Sequence, residues 1–274
     1  MLRRVSGATA DELEEVLAPL SRDPGRAAIL CDIDGTLAPI VERADDAHVP
    51  EESSKLLGRL ARRYGCVACV SGRSSSEARR LVGVGSIVYA GSHGAELLEP
   101  GAAQATTVPV FASWEGRIRE FAAEQDTPDL RVLRVRMEDK GPIVAFHWRG
   151  TPDEEASRAR LEGLAAEAEA RGLGTHWGRK VLEVRPPVPV DKGQAVRTLC
   201  ERERPRTALY AGDDVTDLDA FDALEAMKDE GLLEAAVCVG VRSDEGPAAI
   251  TERANLVVDG VPGFVAVLEA LDAA

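Results

Sequence analysis

Apolar runs of five to nine residues recur along the chain, and each is stopped by a polar or glycine-bearing turn. "AAILCDIDG" begins at Ala27, "CVACVSGR" at Cys66 and "SIVYAGSHG" at Ser86; "TALYAGDDVTD", "AAVCVGV" and "ANLVVDG" follow after Thr207. Runs this short, without polar alternation, predict strands buried on both faces. Helical patterns separate several of them, one over 51–64 and another over "KGQAVRTLCERE" from Lys192. Near the start, Thr9 and Glu12 are spaced as a capping box for a helix ending near Pro19. Strand alternating with helix predicts an α/β fold with a doubly wound parallel sheet. Such sheets place their sites at the carboxyl ends of the strands.

The pattern changes between 105 and 188. "FASWEGRIREFAAEQ" has helical spacing. "RVLRVRMEDKGPIVAFHWRG" alternates and turns at Lys140-Gly-Pro, which predicts a hairpin. A second helix follows from Thr151, with Thr151 as N-cap, Glu154 closing the box and Gly172 past its end. "THWGRKVLEVRP" reads as another hairpin. The chain is therefore expected to form an α/β core from 1–104 and 189–274, with an inserted α+β domain over 105–188. The borders, "LEPGAAQA" and "RPPVPVDKG", are turn-rich.

Charge narrows the partners. The net charge is −14, which disfavours nucleic acid and anionic membrane. The insert holds 13 Lys/Arg against 14 Asp/Glu, so the core carries nearly all the excess. An anionic substrate then requires a local cationic site. No apolar stretch reaches the roughly 18–20 residues of a membrane span, and the first residues lack the apolar segment of a secretory signal. Five cysteines, an odd number, point to reduced thiols and a cytoplasmic location. Cys66 and Cys69 form a C-x-x-C, but without a second pair or a nearby histidine they read as small core residues. The four histidines are too scattered to suggest a metal cluster.

The candidate chemistry sits at the ends of the apolar runs. Asp32 and Asp34 follow the first, Ser71 and Gly72 the second, and Asp213, Asp214 and Asp217 a later one. Gathered at adjacent strand ends, Asp32, Asp34 and Asp213 would repel one another, a conflict that a hard divalent cation such as Mg²⁺ removes. Separate polar strand caps are the simpler reading of any one acid, but D-x-D-G-T together with G-D-D-x-x-D is not explained that way. Neither cluster has the glycine and distal glutamate spacing of an EF-hand. Lys192 opens a helix, where a cation is disfavoured by the dipole unless an anion is held there. Ser71 offers a hydroxyl and the following N–H groups. Together these groups predict phosphoryl transfer, with one carboxylate attacking phosphorus and a second handling protons.

These residues resemble the haloacid dehalogenase superfamily of phosphatases: Asp32-x-Asp34-Gly-Thr-Leu, Ser71-Gly-Arg, Lys192 and Gly-Asp213-Asp214-x-x-Asp217 stand in that family's order. The resemblance implies Asp32 as nucleophile and Asp34 as acid/base. It implies Mg²⁺ held by Asp32, the Asp34 backbone carbonyl and Asp213, supported by Asp214 and Asp217, with phosphate on Ser71, Gly72 and Lys192. The insert looks like the family's larger cap. Within the superfamily, "GSHGAEL", "GDDVTDLDAF", "KGPIVAFHWR" and "GRKVLEVRP" are most similar to trehalose-6-phosphate phosphatases. By that resemblance Lys140, His147, Arg179, Lys180 and Glu183 would meet sugar hydroxyls. Other capped phosphatases, for sucrose phosphate or mannosyl-3-phosphoglycerate, share the core motifs. Phospho-acceptor receiver domains are shorter and lack the second aspartate and the insert. A silent sugar-phosphate sensor would not need every catalytic group.

Overall fold

The computed structural model describes residues 10–41, 46–188, 190–243 and 246–274. They divide into two compact units: one from the residues up to Thr106 together with Asp191–Ala274, the other Thr107–Val190. The first stretch runs α1 (Ala10–Ser21), β1 (Ala27–Cys31), α2 (Glu51–Leu60), β2 (Cys66–Val70), α3 (Ser75–Val82), β3 (Val88–Gly91), β4 (Glu96–Leu98) and β5 (Thr106–Thr107). The insert runs α4 (Pro109–Glu124), α5 (Pro128–Val132), β6 (Arg136–Asp139), β7 (Val144–His147), α6 (Glu154–Ala170), β8 (Gly174–Gly178) and β9 (Val181–Arg185). The chain then closes with α7 (Lys192–Glu203), β10 (Thr207–Gly212), α8 (Val215–Asp229), β11 (Ala235–Arg242), α9 (Ala248–Arg253), β12 (Leu256–Asp259) and α10 (Gly260–Ala273).

The large sheet has the order β12-β11-β10-β1-β2-β3-β4-β5. Its pairs from β12 to β3 are parallel, and β4 returns antiparallel to β3. Successive residues of β1 enter opposite cores: Ala27, Ile29 and Cys31 join the leucines of α1, α2 and α10, while Ala28 and Leu30 join α7 and α8. That two-sided burial is why the strands read as unbroken apolar runs. It also disposes of the C-x-x-C. Cys66 and Cys69 lie three apart on β2, so they enter opposite cores as free buried thiols.

The insert is a four-stranded antiparallel sheet, β6-β7-β9-β8. One face packs Val144, Phe146, Leu182 and Val184 on Ile118 and Phe121 of α4 and on Leu161 and Leu164 of α6.

Several predicted boundaries move. Pro19 lies inside α1, which continues to Ser21, and Thr9 lies outside the described residues. The helix expected over 51–64 stops at Leu60. Asp153, not Thr151, caps α6 by accepting from the Ala156 N–H at 2.9 Å. The Thr151 hydroxyl donates to the Trp148 carbonyl instead. The run "RVLRV" was expected in a strand, but its start belongs to α5, a short helix opened by Thr127-Pro128 that buries Leu130. Among the described residues, no helix is long and apolar enough to cross a membrane.

Just past α7, Arg204 takes φ 50° and ψ 50°, and its N–H donates to the Cys200 carbonyl at 2.8 Å. An L residue is disfavoured in that conformation by about 1–2 kcal/mol, and glycine is not. Arg204→Gly is expected to raise the midpoint of thermal unfolding by about 2–4 °C, the shift that roughly 1 kcal/mol produces in a chain of this size. An unchanged or lower midpoint would contradict this account of the cap.

Candidate active site

Three neighbouring strands end in polar residues. In sheet order, Asp213 follows β10, Asp32 follows β1 and Ser71 follows β2. The ladder carries on into these positions. The Asp32 N–H donates to the Ala211 carbonyl at 2.9 Å, and the Ser71 N–H to the Ala90 carbonyl at 2.9 Å. The backbone at Asp32 and Ser71 is therefore fixed by the sheet. Asp32, Asp213 and Ser71 are all buried.

Lys192 reaches this row from the first turn of α7. Its ammonium lies 2.9 Å from Asp32 Oδ1 and 2.7 Å from Asp217 Oδ1. The helix N-terminus itself is capped by Asp191, which accepts from the Gln194 N–H at 2.7 Å. Two carboxylates thus offset the dipole penalty on Lys192. Asp217 is fully enclosed and accepts four hydrogen bonds. Lys192 and the Tyr210 hydroxyl reach Oδ1, the latter at 2.6 Å; the N–H groups of Asp213 and Asp214 reach Oδ2 at 3.0 Å each. Asp217 therefore fixes the strand end that carries Asp213, and its oxygens are already engaged. The Asp214 carboxylate turns away to the Val215 N–H at 2.7 Å and stays exposed, so it does not join the buried group.

Asp213 is held between Thr36, whose hydroxyl donates to Oδ1 at 3.3 Å, and the face of Gly35. Gly35 has φ 90°, and a Cβ there would overlap the Asp213 carboxylate. Glycine in the Asp-Gly-Thr segment thus lets the two strand ends meet. Asp34 points elsewhere. It takes a two-pronged bridge from Arg73, Nε to Oδ2 and Nη2 to Oδ1, both 2.7 Å.

The electrostatics of the buried group are unbalanced. Oxygens of Asp32, Asp213 and Asp217 all lie within 4.8 Å of one another. Three carboxylates and the one ammonium bound to them sum to −2. Burial pushes the Asp213 carboxyl up to about 7, aided by the charge of Asp217, against the pull of Lys192. Burial likewise raises Asp32 well above the usual carboxylate range, with Lys192 pulling it back. Burial works against charge on Lys192, but Asp217 and Asp32 overcome it and raise its pKa. Protonation is one remedy for such crowding; a divalent cation is the other. The donors are all oxygen, as a hard cation prefers, so the residues suit Mg²⁺.

In the insert, register puts Glu138, Ala145, Glu183 and His176 in one cross-strand row. It lies on the face opposite the helices. Lys140 Nζ bridges to Glu183 Oε1 at 3.1 Å, and His147 Nε2 to Glu138 Oε2 at 2.7 Å. The His147 hydrogen bond holds Glu138 below its ordinary range against the opposing effect of burial. Of the five predicted sugar contacts, Lys140, His147 and Glu183 therefore belong to one polar face. Arg179 and Lys180 sit in the turn between β8 and β9, and the Lys180 ammonium is drawn 2.7 Å from Glu154.

The sequence reading missed Tyr210 and Glu138, and it quoted Thr36 and Arg73 within motifs without giving either a role. Glu138 had a legible signal, since it lies two residues before Lys140 in an alternating strand. Tyr210 and Arg73 had none of that kind, because their partners lie on other elements or loops.

Residues 30–253 match the trehalose-phosphatase family. A trehalose-phosphate phosphatase of Mycolicibacterium paratuberculosis is 36% identical over 220 residues, which cover 75% of this chain and 53% of that protein. An uncharacterized glycosyl hydrolase of Mycobacterium tuberculosis is 35% identical over 206 residues, 73% of this chain and 15% of that protein. The chain thus spans from about a seventh to about half the length of these curated relatives. In fold it is similar to the C-terminal domain of the Candida albicans trehalose-6-phosphate phosphatase, with TM-score 0.71 and 20% identity over 98% of this chain and 99% of that one. Matched over residues 30–253, the chain belongs to the trehalose-phosphatase family.

Proposed function

We propose that this chain is a cytoplasmic, Mg²⁺-dependent phosphatase that hydrolyses trehalose 6-phosphate to trehalose and phosphate through an aspartyl-phosphate at Asp32. The observation that carries this reading is the buried group of Asp32 and Asp213 at adjacent strand ends with Lys192 from the first turn of α7, with a charge of −2 once Asp217 is counted. Family membership and the name of the Mycolicibacterium paratuberculosis relative support the sugar. The cytoplasmic assignment rests on five free, buried cysteines.

Mg²⁺ would be held by the Asp32 and Asp213 carboxylates and the Asp34 backbone carbonyl, and when bound supplies the positive charge that lets an anionic phosphate approach these acids. Asp217 supports that shell through its bonds to the backbone, and Asp214 through its N–H on Asp217 Oδ2. Lys192 holds one oxygen of Asp32 and adds its charge beside the incoming phosphoryl group. The Ser71 hydroxyl and the Gly72 N–H receive phosphoryl oxygens. Asp32 attacks phosphorus, the bond from phosphorus to the sugar oxygen breaks, and Asp34, which enters this step protonated, gives that oxygen its proton and is left as the carboxylate. Asp34 then takes a proton from water, whose oxygen attacks phosphorus and releases Asp32. The core unit thus acts on the phosphoryl group, while the insert (105–188) recognises the sugar through Lys140, His147 and Glu183, joined by Glu138. Arg179 and Lys180 from the neighbouring turn complete the hydroxyl contacts.

Phosphate release from a panel of sugar phosphates, with and without chelator, tests the reading. Trehalose 6-phosphate should be the best substrate, and chelation should abolish turnover. Faster release from sucrose phosphate or mannosyl-3-phosphoglycerate would reassign the sugar, and full activity without metal would overturn the mechanism. Glu183→Gln should raise KM for trehalose 6-phosphate by about tenfold or more, the worth of a hydrogen bond to a charged group. It should leave turnover of p-nitrophenyl phosphate within about twofold; equal losses on both esters would show that Glu183 does not read the sugar. Calorimetry tests the charge argument separately. Mg²⁺ at about a hundred times its Kd should raise the unfolding midpoint by about 5–10 °C. Asp213→Asn should raise the metal-free midpoint and remove the Mg²⁺ increment. A lowered midpoint without metal would contradict the crowding.

A further inference from the structure

Arg73 is the anchored member of its pair with Asp34. Its side chain is 15% exposed against 39% for Asp34. The backbone beneath it is clamped from behind. The Ser92 N–H donates to the Arg73 carbonyl at 2.7 Å, and the His93 N–H to the Ser71 carbonyl at 2.9 Å. Ser92 and His93 present these groups from φ 50° and 57°, a conformation that L residues avoid. The His93 ring also lies against Gly72, close enough that a Cβ there would sit 2.8 Å from the imidazole. Strained turns persist where the surroundings over-determine them, and they cluster at working sites. What this turn determines is the course of Ser71-Gly72-Arg73, and hence where the guanidinium fork arrives.

The fork arrives on Asp34, whose own backbone is fixed from the other side. The Gly35 N–H donates to the Ala38 carbonyl at 2.7 Å, and Asp34 forms a β-bridge to Ala38. With both backbones held, the free variable is the direction of the Asp34 carboxylate. Two parallel N–H···O bonds set the plane and direction of a carboxylate, which a single ammonium cannot do.

We propose that Arg73 is a positioning residue for the reaction: it aims the Asp34 carboxylate at the sugar oxygen that leaves, and does not itself bind the substrate. This rests on the phosphatase reading, in which Asp34 serves that oxygen. A misdirected carboxylate loses most of its worth in proton transfer, because the geometry must bring it within hydrogen-bond reach.

A kinetic double-mutant cycle on the full chain tests this, using wild type, Arg73→Ala, Asp34→Asn and the double variant, with Arg73→Lys as a second single variant. Arg73→Ala should lower kcat on trehalose 6-phosphate by about 10²-fold and leave KM within about threefold. In the Asp34→Asn background the same change should cost less than about threefold, since groups that act as one unit are not additive. Arg73→Lys should recover only part of the loss, and millimolar guanidinium should partly rescue Arg73→Ala. On p-nitrophenyl phosphate, whose leaving group departs without a proton, the Arg73→Ala penalty on the first step, read as the rate of the p-nitrophenol burst, should fall below about fivefold, while hydrolysis of the aspartyl-phosphate stays slowed. Equal penalties with and without Asp34, or a raised KM at unchanged kcat, would overturn the proposal and make Arg73 a structural or substrate-binding residue. The wild-type arm keeps the two readings apart. If wild type releases no phosphate, the phosphatase reading fails; if it does and the penalties are additive, only the role of Arg73 fails.

Discussion

Three carboxylates share a pocket with one lysine, and the rest of the core is arranged around that imbalance. A buried charge is tolerated only when paired or ligated, so each surrounding contact limits its cost. Asp217 is bound at both oxygens and has become part of the scaffold. Asp34 is neutralised by Arg73. Asp32 and Asp213 are left with less charge compensation than their burial demands, which is the condition in which a divalent cation and a phosphate can enter together. Functional sites commonly hold such unpaid tension, and the perturbed carboxyls of Asp32 and Asp213 are its signature.

The doubly wound sheet is what makes the imbalance possible. Parallel strands bring groups from positions 32, 71 and 213 to one edge although they are far apart in sequence. Backbone hydrogen bonds carry the ladder into Asp32 and Ser71, and Asp217 holds the Asp213 N–H, so the acids cannot relax apart by bending the chain. The insert solves a different problem. Its antiparallel sheet buries one face on α4 and α6 and leaves the other lined by Glu138, Glu183, Lys140 and His147 around the small side chain of Ala145. The paired charges on this face offer both hydrogen-bond donors and acceptors.

Much of this was legible in the sequence because it violates local expectation. An aspartate at the end of an apolar strand is unusual enough that Asp32 and Asp213 stood out, and Lys192 at a helix start did so too. Buried strands and the two long insert helices followed from period and length. What escaped has a common physical cause. Thr151 and Asp153 both suit an N-cap and flank the same proline, so only the built backbone decides between them. α5 is too short to show a period. Tyr210 reads as an ordinary strand residue until α8 brings Asp217 beneath its hydroxyl. Arg73 stood inside a quoted motif, but its fork is explained only by the loop carrying Asp34 and by the left-handed turn at Ser92 and His93.

The central claim is that this crowded edge exists so that one of its acids captures phosphorus. Rapid quenching of the enzyme with Mg²⁺ and a ³²P-labelled sugar phosphate, followed by borohydride reduction and peptide mass spectrometry, tests it most directly. A reducible acyl phosphate at Asp32, formed and lost at rates that account for turnover, is the predicted result. Turnover at full rate with no label at Asp32, or with label on another residue, would contradict it.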